Sequence, residues 1–578
     1  MRIAYVDICN FRGIAKGRIY LEGHTVLIGD NNAGKSTVFE AIDLVLGPDR
    51  TSRIPVIDEH DFHNGRYLHE EMAVPIEIEV LVIDLSDEQK RRFQNNLEFW
   101  DTEKKELLGT EAIDAVDGGN IIEALRVKFV GSYDADEDDF KGETFFCSPM
   151  REDSGLARFG KTDKRECGFL YLRALRTGSR ALSLERGSLL DIILRIRELR
   201  PKMWEDVLRQ LKATSVAEDA ALGVHDVLNE VQKSLQEFVP VDWGTEPHLR
   251  VSDLTREHLR KTLTVFMSTG KNGYHAPFQH QGTGTINTMV LALLSMIAEA
   301  KKTVIFAMEE PEIAIPPYTQ KRIIDSICKK STQAIFSTHS PFVLEEFSPN
   351  NIILINRNET GEMKGIPVKL PAIIKPKSYN SQFRLRFAEA LLAKRVLLTE
   401  GATEASGYSI AARNLSELEP ANYSSLEGLG IAVFDAESEN NIPIFGQYFK
   451  GLGKIVFAVF DKQEADNLQK INAAISHTYE STHWGFEDLV LSETDPTALR
   501  AFAFEQVSQN KWPTHLAHCQ PSTSAGLEEI KKGLLEFFRW SKGAATCASL
   551  LSGCTVNQTP VTIKTNLNSI KDVCEILY

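Results

Sequence analysis

The chain has 578 residues, of which 43% are hydrophobic and 25% are charged, and its formal net charge is −15. This composition is typical of a globular protein and excludes wholesale disorder and fibrous repeats. The excess of acidic residues also argues against a protein that coats nucleic acid through bulk positive charge. Any contact with nucleic acid is therefore expected to be local or mediated by metal ions.

No membrane or secretory segment is predicted. The longest strongly apolar run, residues 289–297, is about half the length that spans a bilayer. Asp7 interrupts the start of the chain before the apolar part of a signal peptide develops. The eight cysteines are scattered without a CxxC pair, which favours reduced thiols. We therefore predict a cytoplasmic protein.

The first part of the chain alternates short apolar strands with turns. Residues 36–46 then carry apolar side chains at helical spacing and are followed by Gly47 and Pro48, which predicts a helix that ends there. The strands predicted in this part are residues 3–8, 18–21, 25–28 and 73–83.

Later in the chain the pattern changes to long helices, between residues 177 and 240, and then back to short buried strands that alternate with helices. Such alternation is typical of a parallel α/β sheet, so the predicted fold class is α/β. A stretch that carries proline and lysine, residues 365–381, is the best linker candidate. The strands predicted on its two sides are residues 304–308, 334–337, 351–355, 395–399, 430–434 and 454–460.

Residues 29–36 read GDNNAGKS and fit the pattern GxxxxGK[ST], directly after a predicted strand and before a predicted helix. In such a loop the backbone N–H groups turn toward phosphate oxygens, and the following helix presents its positive end. Lys35 is expected to reach the outer phosphates, and the Ser36 hydroxyl to bind Mg²⁺. The pattern predicts a site for ATP and Mg²⁺; an ordinary glycine-rich turn with a surface lysine is the alternative.

Acidic residues follow the strand predicted at residues 304–308. Glu309 and Glu310 stand at its carboxyl end, where one carboxylate serves the Mg²⁺ shell and another polarises the attacking water. We assign the first role to Glu309 and the second, catalytic role to Glu310. His339, in the polar cluster after the next strand, is a candidate sensor of the γ-phosphate.

These motifs resemble those of the ATP-binding-cassette (ABC) ATPases of the chromosome-maintenance and recombination-repair type. Residues 10–13 (NFRG) are similar to their N-terminal element, residues 29–36 to Walker A, residues 306–311 to Walker B, and residues 338–340 to the switch histidine. The residues that the resemblance places at the nucleotide are Arg12, Asn31, Asn32, Gly34, Lys35, Ser36, Thr37, Glu309 and His339.

Residues 281–285 (QGTGT), ahead of a helix predicted at residues 287–300, stand where these ATPases have their signature loop, although the wording departs from the usual one. Members of the family sandwich ATP between two heads, so the resemblance implies a homodimer. It also suggests that the helical insert at residues 177–240 serves dimerisation.

Two further predicted strands end in acids. Glu400 and Glu404 follow residues 395–399 within the segment EGATE, and Asp461 follows residues 454–460. Parallel strands bring such acids to one sheet edge, where clustered carboxylates call for divalent cations. Two such ions can activate water and stabilise the leaving oxygen at a phosphodiester. Acids that simply face solvent are the alternative.

This arrangement resembles a Toprim domain, the metal-binding fold of topoisomerases, primases and certain nucleases. The resemblance implies that Glu400, Glu404 and Asp461 are metal ligands and catalytic residues. The second position of the family's DxD pattern is a glutamine here, Gln463, which is a poorer ligand for a hard cation. The neighbouring acids that could substitute for it are Glu464 and Asp466.

Two later segments also resemble motifs of one group of Toprim nucleases. Residues 484–489 (WGFEDL) are similar to its late acidic motif, which adds Glu487 as a catalytic metal ligand. Residues 541–543 (SKG) are similar to its late lysine motif, which adds Lys542 as a catalytic residue that stabilises charge on the phosphate. An ordinary solvated lysine is the alternative for Lys542.

An ABC-type ATPase followed in one chain by a Toprim domain resembles the OLD (overcoming lysogenization defect) family of ATP-dependent nucleases. The resemblance implies a homodimer or higher homo-oligomer that cleaves DNA with Mg²⁺ or Mn²⁺ under the control of its ATPase heads, in anti-phage defence or DNA processing. DNA is the expected substrate, and a helicase or other defence-system protein is a candidate partner. The expected domains are residues 1–176 and 241–375 for the ATPase, 177–240 for the insert and 385–578 for the Toprim domain.

Two rival functions are weighed against this one. The first is an ATP-driven DNA-binding or clamp protein whose Toprim site is degenerate, an idea motivated by Gln463. The second, a topoisomerase or primase, is least favoured because no domain with a strand-attacking tyrosine is evident. The cluster EHDFH at residues 59–63 has two histidines without further ligands, so we interpret it as a polar loop.

Overall fold

The computed structural model describes most of the chain, and all structural statements below refer to these residues. The described residues are 1–48, 50, 56–70, 72–108, 120–149, 155–172, 184, 188–197, 199–213, 224–238, 255–268, 275–300, 304–313, 316–372, 374, 384–541 and 545–576. They form two compact units, which are described separately. Unit 1 comprises Met1–Thr25 and Ser36–Thr338, and unit 2 comprises Val26–Lys35 and His339–Tyr578.

The strands are β1 Arg2–Phe11, β2 Ile14–Tyr20, β3 Thr25–Ile28, β4 Leu68–His69, β5 Met72–Ala73, β6 Ile76–Ile83, β7 Leu97–Asp101, β8 Glu106–Leu108, β9 Ile121–Asp134, β10 Asp139–Phe146, β11 Phe169–Leu172, β12 Phe266–Ser268, β13 His275–Pro277, β14 Ile305–Glu309, β15 Gln333–Ser337, β16 Ile352–Arg357, β17 Glu362–Pro367, β18 Arg395–Thr399, β19 Ile431–Asp435, β20 Ile455–Phe460 and β21 His477–Glu480.

The α-helices are α1 Lys35–Leu46, α2 Asp87–Phe93, α3 Lys161–Glu166, α4 Leu189–Ile196, α5 Arg200–Ala213, α6 Val224–Phe238, α7 Arg256–Thr262, α8 Thr283–Ala300, α9 Pro317–Lys330, α10 Pro341–Leu344, α11 Arg384–Leu392, α12 Ala402–Leu418, α13 Ile442–Gly451, α14 Ala465–Ala474, α15 Phe486–Glu493, α16 Pro496–Ser508, α17 Leu527–Trp540, α18 Ala545–Ser552 and α19 Val561–Ile576.

Unit 1 contains an antiparallel arrangement of strands in the order β2-β1-β6-β9-β7-β8, with β10 also paired to β9. One of its faces packs around Tyr5 and Trp100, whose rings lie 5.6 Å apart between centroids. Both rings are buried. Each of these large aromatic side chains buries much apolar area, which stabilises the packed face of the sheet.

Unit 1 also contains three parallel strands, β11-β14-β15. Strand β14 is buried along its apolar residues and ends at Glu309, as expected for a strand covered on both faces. Gln333 begins β15, where its side chain accepts a hydrogen bond from the Ile3 N–H (2.7 Å) and donates one to the Ile3 carbonyl (3.1 Å). This fully buried amide therefore ties the parallel strands to β1.

Unit 2 contains a four-stranded sheet in the order β19-β18-β20-β21, in which all neighbouring strands are parallel. Its core is built from the buried faces of α12, α15, α16, α17, α18 and α19 together with the sheet. Because parallel strands share one direction, the carboxyl ends of β18, β19 and β20 lie at one edge. That edge receives the acids that follow these strands. Separately, β16 of unit 2 pairs with β3 in parallel and with β17 in antiparallel orientation.

The α/β fold class is confirmed, and so are most of the predicted elements. Strands β3 and β18 span the predicted residues, and helix α1 begins one residue earlier than predicted. Strand β6 begins at Ile76 rather than at residue 73, because Pro75 has no N–H to donate to a ladder.

The helix predicted at residues 287–300 is longer than predicted and begins at Thr283. Gly282 accepts the N–H groups of Thr285 and Ile286, so residues 283–285 of the candidate signature loop form the first helical turn. Among the described residues, no helix is long and apolar enough to span a membrane. The segments at residues 177–183 and 375–381, which include part of the predicted insert and of the predicted linker, lie outside the described residues.

Candidate active sites

The glycine-rich loop between β3 and α1 is bridged by the side chain of Lys35. Lys35 is 9% exposed, and its Nζ donates hydrogen bonds to the carbonyl oxygens of Gly29 (2.7 Å) and Asp30 (3.0 Å). The side chains of Asn31 and Asn32 are exposed. The loop therefore combines a buried positive charge with exposed residues on one side of it.

The glycines of this loop have a steric reason. Gly29 has a φ of 147°, and a Cβ there would lie 2.4 Å from the carbonyl oxygen of Ile355 in β16. Gly34 has a φ of 106°, and Asn32 has a φ of 66°, the left-handed region that glycine and asparagine tolerate best. Only a few residue types can therefore build this loop, which explains why its pattern is recognisable from the sequence.

Ser36 and Thr37, which are predicted to bind the metal ion and the phosphates, lie on the first turn of α1. Ser36 is exposed and Thr37 is half-buried. The first turn of a helix offers unpaired N–H groups and a positive dipole end to an anion. The roles of Ser36 and Thr37 at a nucleotide therefore stay a prediction.

Arg12 lies in the tight turn between β1 and β2, where its φ is 50°. Its Nη1 lies 2.6 Å from Oε2 of Glu40 on α1, and its Nε donates to Oδ1 of Asp61 at 2.7 Å. Asp61 is 5% exposed. These two ion pairs hold the turn against α1, and they give Arg12 a structural role beside the predicted nucleotide contact.

The cluster at residues 59–63 contains the 3₁₀ turn Glu59–Asp61 and the start of a second one, His63–Gly65, and it belongs to this arrangement. The ring Nδ1 of His63 lies 2.8 Å from the carbonyl oxygen of Arg12, and the Arg12 N–H donates to the carbonyl of Asp61 at 2.7 Å. His60 is exposed. The histidines thus serve the turn or face solvent, which agrees with a polar loop.

Glu309 is the last residue of strand β14 and Glu310 follows it, and the two have different environments. Oε1 of Glu309 accepts a hydrogen bond from the Tyr171 hydroxyl at 2.9 Å. Glu310 has a φ of 44°, and its N–H donates to the carbonyl of Ser337 at 2.8 Å. A positive φ is uncommon for a residue with a side chain and marks a position whose direction the surroundings impose. His339, in unit 2, is exposed.

The C-terminal acids converge at the edge of the parallel sheet. Glu400 follows β18 and Asp461 follows β20, two strands that pair directly. The backbone N–H of Asp461 donates a hydrogen bond to the Glu400 carboxylate. Glu404 lies in the first turn of α12, where a negative charge is favourable. We refer to Glu400, Glu404, Asp461 and Glu487 as the acidic cluster.

Burial and mutual repulsion raise the pKa values of these carboxylates. The pKa of Asp461 rises to about 8, mainly through burial and then through the charges of Glu404, Glu400 and Glu487. Burial, with the charges of Glu400 and Glu487, raises the pKa of Glu404 to about 7. The pKa of Glu400 is also raised, mainly by burial. These carboxylates are therefore close enough to feel one another strongly, and a cation among them would relieve the repulsion.

Glu487 joins the cluster from helix α15, which begins at Phe486. The N–H of Phe486 donates a hydrogen bond to the Asp461 carboxylate and thereby joins the start of this helix to the end of β20. Glu487 is half-buried and adds to the negative potential at both Glu404 and Asp461. Lys542 lies outside the described residues, so its predicted position is not addressed by the structure.

Gln463 is the neutral member of this site. Its side chain is buried, and its Nε2 donates to Oε2 of Glu400 at 3.3 Å and to the carbonyl of Asp461 at 3.1 Å. Its Oε1 accepts from Nδ2 of Asn467 at 2.7 Å. The neighbours Glu464 and Asp466 are exposed. The glutamine, and neither of these acids, occupies the interior position at the end of β20.

One acid of the site was missed by the sequence reasoning. Asp435 ends β19, pairs with Thr399 of β18 in the register of the sheet, and is 7% exposed. Its carboxylate contributes to the raised pKa of Glu404 and is paired with Arg386 at 3.1 Å. The signal was present, because the predicted strand at residues 430–434 is followed directly by this aspartate.

The chemistry of the acidic cluster suits hard divalent cations, which prefer several oxygen ligands, and carboxylates supply them. Among the described residues, no three histidine, cysteine, aspartate or glutamate side chains already stand in an arrangement that holds a metal ion. The fit therefore rests on the donor set and on the crowding of buried negative charge at one sheet edge.

Comparison with known proteins agrees with these two sites. Residues 1–132 and 189–344 match the family model described as AAA ATPase domain, and residues 391–462 match the model described as overcoming lysogenization defect protein-like, TOPRIM domain. The fold and the acidic edge thus define an ATPase joined to a Toprim domain. This combination of domains resembles the OLD family, as the two motif sets of the chain predicted.

Three curated nucleases are similar to most of the chain, each at 24% identity. The Old nuclease of Escherichia phage P2 aligns over 434 residues, covering 70% of this chain and 68% of the relative. Endonuclease GajA of Bacillus cereus (strain VD045) aligns over 458 residues, covering 73% and 68%. The OLD nuclease of Thermus scotoductus (strain ATCC 700910 / SA-01) aligns over 428 residues, covering 68% and 71%.

Solved structures of SMC heads are more distant. The SmcHead bound to the C-winged helix domain of ScpA is 12% identical, covers 65% of this chain and all of its own, and has a TM-score of 0.35. The SMC head domain from Thermotoga maritima is 10% identical, covers 64% of this chain and all of its own, and has a TM-score of 0.29.

Proposed function

We propose that Glu400, Glu404, Asp461 and Glu487 hold the divalent ions with which this OLD-family ATPase and endonuclease hydrolyses DNA phosphodiester bonds. The observation that carries the proposal is the convergence of buried carboxylates at the ends of β18 and β20, where Asp461 acquires a pKa of about 8. Bound Mg²⁺ or Mn²⁺ would supply the charge that activates water and stabilises the leaving oxygen. Lys542 is proposed to stabilise charge on the phosphate.

The same proposal assigns ATP and its Mg²⁺ to the N-terminal motifs. Lys35 and the first turn of α1 would bind the phosphates, with Ser36 and Glu309 at the Mg²⁺ ion. Glu310 would orient the attacking water, and its constrained backbone, with a φ of 44°, supports a fixed direction for this side chain. His339 would respond to the γ-phosphate.

The remaining parts of the proposal concern assembly and biology. We propose a homodimer in the cytoplasm in which ATP occupancy of the heads controls the Toprim centre, with the segment around residues 177–240 contributing to dimerisation. We further propose a role in anti-phage defence, in which a helicase or another defence-system protein is a candidate partner. The resemblance to the OLD family supports these assignments, and gel filtration of the full chain with and without ATP tests the dimer.

The nuclease assignment is tested by incubating supercoiled plasmid with the full chain and Mg²⁺ or Mn²⁺. Glu400→Ala is expected to abolish nicking, because it removes a ligand from the centre of the acidic cluster. The matched control is Glu417→Ala, an exposed glutamate on the same helix as Glu404. Nicking that survives Glu400→Ala but is lost on adding EDTA would place the metal site elsewhere in the chain.

The ATP assignment is tested by Lys35→Ala. The variant should lose ATP hydrolysis, because no other side chain of the loop carries a positive charge to the outer phosphates. Lys450→Ala, at an exposed lysine of α13, is the control and should hydrolyse ATP at the wild-type rate. Undiminished turnover in Lys35→Ala would contradict the phosphate-loop assignment.

A second candidate function is an ATP-driven DNA clamp with an inactive Toprim centre. The observation that favours it is the amide of Gln463 at the position of a second aspartate, in contact with Glu400. This function predicts ATP-dependent DNA binding without nicking in either Mg²⁺ or Mn²⁺. The plasmid assay above decides between the two.

A further inference from the structure

Trp484 is a large aromatic side chain that the fold leaves in solvent. It is 66% exposed and lies in the turn between β21 and α15. The ammonium of Lys462 lies over its ring, 5.3 Å from the ring centroid. Tryptophan is mostly buried in folded proteins, so an exposed ring with a paired cation is a feature that packing does not explain.

The turn that carries this pair is held directly against the acidic cluster. The N–H of Lys462 donates to the carbonyl of His483 at 2.8 Å. Two residues after Trp484, the N–H of Phe486 donates to the carboxylate of Asp461. Trp484 therefore lies two residues before the donor of this hydrogen bond, and Lys462 lies next to its acceptor, Asp461.

The backbone of the turn is fixed by further hydrogen bonds. The N–H of Ser481 donates to the carbonyl of Phe460 at 2.8 Å. The ring Nε2 of His483 lies 2.8 Å from the Ser492 hydroxyl on α15. Because both sides of the turn are anchored, the indole is presented from a fixed base rather than from a freely moving loop.

We propose that Trp484 and Lys462 form a platform on which an unstacked nucleobase of the DNA strand binds beside the scissile phosphate. The proposal rests on the proposed nuclease function and adds a positioning site for its substrate. An indole face binds any base by stacking, and the adjacent ammonium attracts the backbone phosphate. Bases inside a duplex have both faces covered by their neighbours, so the platform selects single-stranded or frayed DNA.

The positive charge of Lys462 should help DNA to approach an acidic surface. Among the next residues along the chain, Glu464 and Asp466 are acidic and exposed. A phosphate backbone would be repelled by these groups unless a cation lies on its path. Lys462 is the basic residue that directly follows the metal-binding position Asp461, and it is exposed.

The test compares two labelled 20-nucleotide strands of equal charge, oligo(dT) and an abasic strand of the same length. Binding to the full chain is measured by fluorescence anisotropy in EDTA, so that no strand is cut. Wild type is expected to bind oligo(dT) at least about fivefold more tightly than the abasic strand, which corresponds to the low end of base–aromatic stacking. Trp484→Leu, which keeps apolar bulk but loses the aromatic face, should bind the two strands equally.

Two further variants make the test specific. Trp484→Phe retains an aromatic face and should keep most of the preference for oligo(dT). Lys462→Ala should weaken binding of both strands by a similar factor and reduce the salt dependence of binding, since it removes a phosphate contact rather than a base contact. Unfolding temperatures near that of wild type verify that these exposed positions do not perturb the fold.

Equal wild-type affinity for both strands, no measurable affinity for either, or an unchanged preference in Trp484→Leu would overturn the platform. These outcomes are distinct from a failure of the metal centre, which shows as nicking that survives Glu400→Ala. In a cleavage assay with a labelled single strand and Mg²⁺ or Mn²⁺, the platform predicts that Trp484→Leu raises KM while kcat changes less. A merely structural residue would instead lower the unfolding temperature.

Discussion

The side-chain amide of Gln463 donates a hydrogen bond to Oε2 of Glu400 over 3.3 Å, between the ends of two paired parallel strands. The amide offers a partial positive charge at a point where the surrounding side chains are carboxylates. It offsets part of the repulsion that the metal-free cluster would otherwise carry. Gln463 is thus an integral part of the site, held in place by Asn467 at 2.7 Å.

Replacing this amide by a carboxylate should tighten metal binding. Gln463→Asp adds a fifth acid to the cluster and removes the donor to Glu400, so we expect the half-saturating Mg²⁺ concentration for nicking to fall about tenfold, as for other changes of groups that support metal ligands. The metal-free variant should also unfold at a lower temperature, because another buried charge is added. Gln463→Asn, which stays neutral, is the control. A metal requirement that stays the same or rises would mean that the amide positions Glu400 better than a carboxylate does.

Stability of the metal-free protein should fall as the pH rises through the neutral range. The pKa values of Glu404 and Asp461 are raised from 4.5 and 3.8 to about 7 and about 8. Between these limits the folded protein keeps protons that the unfolded chain has released, so the free energy of unfolding decreases with increasing pH. The contribution of these two groups to the free energy of unfolding is largest below their unfolded pKa values. It is lost as the pH passes about 8.

Divalent cations should reverse this loss. We expect Mg²⁺ to raise the unfolding temperature by at least about 3 °C more at pH 8.5 than at pH 5.5, because the carboxylates then bind the ion without first releasing protons. Differential scanning fluorimetry with Mg²⁺ and with EDTA measures the difference. The double variant Glu404→Gln with Asp461→Asn should lose both the pH trend and the Mg²⁺ response. Metal-free stability that rises between pH 5 and 8 in wild type, relative to this variant, would contradict the raised pKa values.

A methyl group added at Gly407 should disturb the acidic cluster indirectly, through the ring of Phe486. Gly407 lies on α12, and a Cβ there would approach the ring of Phe486 to 2.5 Å. The ring must shift, and with it the N–H that Phe486 donates to Asp461. Gly407→Ala should destabilise the protein by about 1–3 kcal/mol, which is typical of an overpacked core, and should weaken Mg²⁺ binding.

The control for this substitution is Gly451→Ala at the end of α13, where no atom lies within 4 Å of the added methyl group. It should leave Mg²⁺ binding unchanged, and stability should stay level or rise slightly. Urea unfolding followed by circular dichroism measures stability, and a Mg²⁺ titration of nicking measures the site. If Gly407→Ala behaves like this control, then Phe486 does not transmit packing to the cluster.

Removing Arg12 should cost stability before any effect on ATP is considered. Arg12→Ala leaves the buried Asp61 without its ion-pair partner, so we expect a loss of about 1.5–3 kcal/mol, the range for hydrogen bonds to charged groups. The matched control is Arg92→Ala, which removes the more exposed pair with Asp163 and should cost less than about 1 kcal/mol.

The ATPase activity of Arg12→Lys separates the two roles of this residue. Lysine keeps the charge but not the fork that reaches Glu40 and Asp61 together. If the main role is structural, the variant loses stability, while KM for ATP stays near the wild-type value at a temperature where both are folded. A raised KM without a loss of stability would instead favour a direct nucleotide contact.

The sequence alone was sufficient for those parts of the molecule whose chemistry is local. The loop at residues 29–36 is recognisable because positive φ angles and a close approach to Ile355 restrict which residues can build it. Strand-end acids such as Glu400 and Asp461 stand out for a similar reason, since a short buried strand followed by acids is a local pattern. The α/β class and the two-domain plan followed from the same patterns.

Only the tertiary structure decided what these residues do to one another. The burial of Gln463, the effect of Asp435 on the pKa of Glu404 and the hydrogen bond from Phe486 to Asp461 all depend on which strands pair and on where a helix begins. The start of helix α8 was also not predictable from the local pattern. Its first turn includes residues that the motif pattern had assigned to a loop. The reason is physical: pKa values, ion pairs and exposed rings such as Trp484 arise from distances between groups far apart in the chain, and no local pattern encodes those distances.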